Sequence, residues 1–398
     1  MRLILISMII TALCINCSQK KPKMEINEFM VHKIGELPRS EPNLSNPGVA
    51  GAFSGIINNK LIIAGGANFP DKMPWEGGAK VIHDKIDVFE IIDDKLKTIG
   101  TSVNLAEPLA YGSSVSLTDG VLCIGGNNPE NTSSKVFLIK WNAEANDIFI
   151  QPFPELPDPL CYSAAVLSEN VVYVIGGASS QNGTTQKNYF YGLDLSKKNT
   201  SVFGWEKLSP YPGIARTFGV AAAQSNGKRK CIYLFSGRNT NNPDNPVVFN
   251  DGLVYDPTDR QWNRIPQNSA SGFHVMAGSA FSDGKNSIVF AGGVSDSIFL
   301  KEQRLKFEMA DAVTRKNKIR TDLLKNELLL FYTEHKGFSQ KILIYNTVSN
   351  TIKSGGSFNT FCPVTTNAIP FKEGAIIAGG EITPGVRTPD IFSIRSSL

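Results

Sequence analysis

Glu381 and Arg387 stand six residues apart, on either side of Pro384-Gly385, in the run Gly379-Gly-Glu-Ile-Thr-Pro-Gly-Val-Arg-Thr388. A Pro-Gly pair favours a tight turn, so the carboxylate and the guanidinium can face one space. A carboxylate can move protons, and a guanidinium can grip an anion with two parallel hydrogen bonds. The same two side chains could equally form a structural ion pair, and the residues alone leave both uses open.

Weaker candidates are scattered along the chain. Arg216, in Ile214-Ala-Arg-Thr-Phe218, opens an apolar stretch and is expected either to point inward or to brace a loop. Asn68 could bond sugar hydroxyls or cap a turn. His83 precedes Asp84 and could be a hydrogen-bonded structural histidine or a proton carrier. His274 has no stronger claim. A copper oxidase would need several His and Tyr ligands, and only four histidines exist (32, 83, 274 and 335). Cys123, Cys161, Cys231 and Cys362 lie in apolar stretches without metal-ligand spacing, as small buried hydrophobes do. No metal and no organic cofactor is expected.

The elements that position these residues follow from a repeat. An apolar run ending in a small-residue pair occurs at Gly65-Gly66, Gly125-Gly126, Gly176-Gly177, Ser236-Gly237, Gly292-Gly293 and Gly379-Gly380. The first residues of these pairs are 60, 51, 60, 56 and 87 apart. A period of about 50 residues is that of Kelch repeats, one four-stranded blade each. Small-residue stretches such as Gly51–Gly55 and Met276–Ala280 precede the runs and suit innermost strands. Aromatic-then-proline signatures, such as Trp205 before Pro212 and Trp262 before Pro266, mark outer strands. The fold class is therefore all-β, a six-bladed Kelch propeller.

The sixth repeat has room for only a third strand, Ile391–Arg395. Phe29–Pro38 matches the outer-strand pattern, so the N-terminal strand is expected to close the C-terminal blade. The long fifth interval carries about 30 extra residues, and Phe299 to Leu324 has near-helical apolar spacing. We read a helical insertion at 299–324, between the inner strands of blades five and six, walling the central pocket.

The first residues read as an export leader. Arg2 supplies a positive charge, and Leu3–Leu13 is apolar but too short to span a bilayer as a helix. Cys17-Ser18 after that run resembles a bacterial lipoprotein cleavage site, which implies lipidation at Cys17 and membrane attachment there. Asn16 departs from the residue usual before such a cut, which leaves ordinary signal cleavage as the alternative. The expected division is a leader at 1–17, a linker at 18–28 and the propeller at 29–398, with the product in the periplasm. Net charge is +4, from 40 basic and 36 acidic residues without a basic cluster, so no nucleic-acid partner is expected.

The loop Gly-Glu-x-x-Pro-Gly-x-Arg-Thr resembles the active loop of the N-acetylneuraminate mutarotases, also called sialic acid epimerases. Gly48–Gly55, Ile63–Pro70 and Trp75-Glu-Gly-Gly-x-Lys80-x-x-His83-Asp84 are similar to other segments of that family, as is the stretch after Gly293. Because the Glu/Arg blade comes last, the chain resembles the cyclically permuted branch. The resemblance covers nearly all of residues 29–395. It implies that Glu381 and Arg387 are catalytic and that the substrate is an acidic sugar whose α and β anomers interconvert. Arg387 would then hold the substrate carboxylate, with Arg216, Asn68 and His83 as further substrate contacts. One departure is Leu109, where better-known members carry an arginine before Ala-Tyr-Gly. Two other readings compete: a non-catalytic Kelch module that binds a glycan or protein, and an epimerase for a different acidic sugar.

Overall fold

The computed structural model describes residues 28–39, 46–266 and 272–397. The leader, Cys17 and the linker up to residue 27 lie outside the described residues.

Six antiparallel four-stranded sheets are arranged as blades, and each small-residue pair ends the second strand of one of them. Blade one comprises Phe53–Ile57, Lys60–Ala64, Ile86–Ile92 and Lys95–Ile99. Blade four comprises Val220–Ser225, Lys230–Phe235, Gly252–Asp256 and Gln261–Arg264. The second strands are buried on both faces because each blade is packed between two others. Ile62 joins Val121 and Cys123 in the core between blades one and two, while Leu61 and Ile63 turn to Ile376 and Ile391 of blade six. Period-two alternation thus builds cores with both neighbours from one apolar strand. Each fully buried Ile or Leu contributes about 1.5–3 kcal/mol.

The N-terminal strand Phe29–Glu36 pairs antiparallel with Asp390–Ser396 and completes blade six. Phe29 also makes an edge-to-face contact with Phe281 of blade five, at 5.8 Å and 83°. The chain therefore closes the ring as its terminal patterns predict.

The insertion is longer than 299–324. It forms two helices, α1 (Asp296–Thr314) and α2 (Lys318–Thr333), between the second and third strands of blade five. Ser295 caps the first and Asn317 the second, and Lys316, at φ 53°, turns the chain between them. The end of α2 escapes a sequence reading because Leu328–Tyr332 is a run of apolar and aromatic residues that suits a strand equally well.

A ring of backbone hydrogen bonds divides the axial channel. Tyr111 N–H donates to Gly51 O, Tyr162 to Tyr111, Phe218 to Tyr162, Ala277 to Phe218, Thr365 to Ala277 and Gly51 to Thr365, all at 2.7–3.0 Å. Each blade gives one residue, and all six have left-handed φ between 55° and 68°. Five of them are not glycine, so the closed ring offsets a strained conformation at each. On one side lies a cavity of about 440 Å³, which contains Glu381. On the other lies one of about 500 Å³ among the inner strands, lined by Ser54, Ser114 and Gln224.

Candidate active site

After each small-residue pair, one residue pairs back to the residue before the ring. These pairs are Ala67–Ala50, Asn127–Ala110, Ala178–Cys161, Arg238–Thr217, Val294–Met276 and Glu381–Val364. Most carry small or neutral side chains. Blades four and six instead place an arginine and a glutamate at this level, and both line the cavity.

Glu381 and Arg387 are directly paired in a short hairpin. Glu381 Oε1 accepts from Arg387 Nη1 at 3.1 Å and from the Gly385 backbone N–H at 2.6 Å. Gly385, at φ 86°, supplies the turn that brings its N–H round to the carboxylate. The Arg387 side chain is 6% exposed and that of Glu381 21%. The guanidinium lies over Phe69 at 5.1 Å. Burial opposes its charge, but Glu381 and Tyr111 outweigh that and hold its pKa above the ordinary value. Glu381 thus keeps one fixed orientation while part of it stays open to the cavity.

The floor is aromatic. Tyr111, Tyr162 and Phe218, three ring residues, adjoin in sequence: Tyr111 meets Tyr162 at a 48° tilt with centroids 5.3 Å apart, and Tyr162 stacks on Phe218 at 4.6 Å. Lys80 Nζ lies over Tyr111 at 5.0 Å, and the Arg238 guanidinium over Phe218 at 4.4 Å. Burial, then Arg387, lowers the Lys80 pKa below the usual lysine value. The helical insertion supplies a wall through Phe299, Glu302 and Tyr332. Tyr332 stacks on Trp75 of the blade-one loop at 5.4 Å, which joins the insertion across the cavity to blade one. Glu302 accepts from Lys306 Nζ at 2.7 Å and from Tyr332 Oη at 2.9 Å.

Other expected contacts lie elsewhere. Arg216 does not line the cavity and is 2% exposed. Its Nη1 lies 2.7 Å from Asp251 Oδ1 and its Nη2 3.2 Å from Oδ2, and Nη1 also donates to Ser236 O. It braces blade four, because Asp251 takes up its charge. Asn68 and His83 bond each other, Nε2 to Oδ1 at 2.8 Å, and Asn68 Nδ2 donates to Gly48 O. Gly48 abuts Thr388 so closely that a Cβ there would stand 2.0 Å from Thr388 O. The pair therefore buttresses the strand start that carries Arg387 and does not line the cavity. His274 faces Asp296 at 3.9 Å, at the start of α1. Leu109 is buried between blades one and two and offers no polar group. Cys123, Cys161, Cys231 and Cys362 are free and buried.

Sequence reasoning missed Lys80, Arg238, Glu302 and Tyr332. For Arg238 a signal existed: it follows Ser236-Gly237 as Glu381 follows Gly379-Gly380. Lys80 stands in the family-like segment Trp75–Asp84, which is its signal, whereas Glu302 and Tyr332 sit on the helical insertion, where no repeat position marks them.

A family profile described as N-acetylneuraminate epimerase matches residues 7–148 and 153–396. Curated N-acetylneuraminate epimerases align over part of the chain. That of Salmonella enteritidis is 25% identical over 240 residues, covering 60% of this chain and 57% of that protein. That of Brucella melitensis is 29% identical over 251 residues, covering 61% and 58%. The alignment thus spans under two thirds of these relatives' length. A solved structure titled "Structure of YjhT" superposes with a TM-score of 0.60 at 15% identity, covering 92% of this chain and 97% of that one. That likeness is one of fold.

Proposed function

The chain belongs to the N-acetylneuraminate epimerase family, and from that premise we propose that it is a mutarotase interconverting the α and β anomers of N-acetylneuraminate. The observation that carries this is the Glu381 carboxylate. It is oriented by Gly385 N–H and Arg387, and it opens on a cavity that also holds two cations, Lys80 and Arg238, that form no ion pair among the described residues.

The chemistry needs one proton relay. Glu381 takes the proton from the anomeric hydroxyl as the bond from the anomeric carbon to the ring oxygen breaks. The carboxylic acid then gives that proton to the ring oxygen, leaving an open-chain hydroxy ketone. Rotation of the ketone and the reverse relay close the ring on its other face, with no net change in atoms or charge. General acid–base help of roughly 10²–10⁴-fold suits so facile a reaction. The aromatic floor adds apolar surface to the site, and the cations over it balance the sugar's negative charge.

The test is NMR of freshly released α-N-acetylneuraminate with and without protein. Faster appearance of the β anomer is expected. An unchanged rate would favour a non-catalytic glycan- or protein-binding module.

We further infer export to the periplasm, with attachment through a lipidated Cys17. The support is the apolar run Leu3–Leu13 followed by Cys17-Ser18. Mass spectrometry of the mature N-terminus should find an acylated Cys17; an unmodified N-terminus elsewhere would remove the anchor.

A further inference from the structure

We propose that Arg238 is the anion subsite of the cavity: its guanidinium takes the carboxylate of the acidic sugar, while Arg387 stays on Glu381. This rests on reading the cavity as an acidic-sugar site.

The Arg238 guanidinium lies 4.4 Å from the Phe218 ring centroid and 4.4 Å from that of Phe299. Both faces are covered, so its N–H donors are directed outward in one plane. Among the described residues no carboxylate pairs with it and no hydrogen bond reaches its guanidinium, and Nε is buried without a partner. A desolvated cation with no counter-ion is costly, and its unused fork matches a carboxylate. Arg387 differs: its Nη1 is committed to Glu381, and little of its side chain is exposed.

The charges in the cavity agree. Arg387 balances Glu381, and Lys306 balances Glu302. Arg238 and Lys80 remain, and of these only Arg238 offers a planar fork of parallel donors matched to two carboxylate oxygens. In a 2-keto sugar acid the carboxylate and the anomeric hydroxyl share one carbon, so the anion subsite must adjoin the acid. Arg238 and Glu381 stand at the same position after the small-residue pairs of blades four and six and line one cavity, as that arrangement requires. The carboxylate on Arg238 then leaves the anomeric hydroxyl for Glu381.

The experiment is calorimetric titration of the full chain with N-acetylneuraminate and with its uncharged methyl ester. Wild-type protein should bind the acid more tightly by roughly 10–100-fold. Arg238→Met should lose most of that preference while ester affinity stays within about 3-fold. Arg238→Lys should fall between, since it keeps the charge and loses the fork; it decides the matter if the Met variant does not fold. No acid preference in wild type, full preference in either variant, or equal weakening of acid and ester would overturn the proposal. Acid-selective binding that Arg238→Met abolishes, without faster anomer exchange, would support it and overturn the mutarotase reading. Faster exchange with acid preference intact in Arg238→Met would do the reverse.

Discussion

Arg238 and Glu381 occupy the same position in two different repeats, each the first residue after the small-residue pair, and both line one cavity. They belong to blades four and six, with the helical insertion of blade five between them in the ring. The repeat supplies the position six times, and this chain loads two of the six with opposite charges.

Glu381→Gln should remove the proton relay and leave the fold intact. A glutamine oxygen can still accept from Gly385 N–H, so the hairpin keeps its turn. The enhancement of anomer exchange, followed by NMR, should fall roughly 10²–10⁴-fold, while circular dichroism keeps the wild-type sheet signal; the melting temperature should drop, because the buried Arg387 loses its counter-charge. Retention of the rate would take the chemistry away from this carboxylate.

Gly51→Ala tests the hydrogen-bonded ring. Gly51 has φ 68°, and a Cβ there would stand 2.4 Å from the Tyr111 ring. Strain and clash together should cost about 2–4 kcal/mol. Tyr111 would also be pushed from beneath Lys80. Urea unfolding should show the lower stability, and a variant as stable as wild type would mean the ring yields easily.

The ring of blades could be read from the sequence because its signals are local: six small-residue pairs, small inner strands and an orphan strand pattern at Phe29–Pro38. The hairpin with Glu381 and Arg387 was legible for the same reason, since six residues and a Pro-Gly turn fix it. The choice between Arg216 and Arg238 was not. Both flank the inner strands of blade four, and the partner that takes Arg216 out of contention, Asp251, lies 35 residues further on. The uses of Asn68 and His83 were hidden likewise, because their buttressing depends on Gly48 meeting Thr388 from the opposite end of the chain.

Phe29→Ala should weaken the closure selectively. Phe29 is 6% exposed and packs in the core shared by blades five and six. Removing a buried ring from such a core typically costs about 3–5 kcal/mol. Hydrogen exchange should accelerate first in Asp390–Ser396, the strand that pairs with it. Uniform acceleration over all blades would show that the ring opens as one unit instead.

Mild acid should destabilise the protein through two histidines. Burial pushes the pKa values of His83 and His335 below 6.5, their ordinary value. Below pH 6.5 the unfolded chain therefore takes up protons that the folded chain refuses, so stability falls as pH drops toward the folded pKa values. Above pH 6.5 these two groups contribute no slope. His83 Nε2 faces Asn68 Oδ1, an acceptor, so this nitrogen carries the proton of the neutral ring. A glutamine amide can offer the same donor without titrating. Between pH 7.5 and 5.5 the melting temperature of the wild type should fall by about 1–3 °C. The fall should shrink in His83→Gln and nearly vanish when His335→Gln is added. An undiminished fall in the double variant would assign the acid sensitivity to other groups.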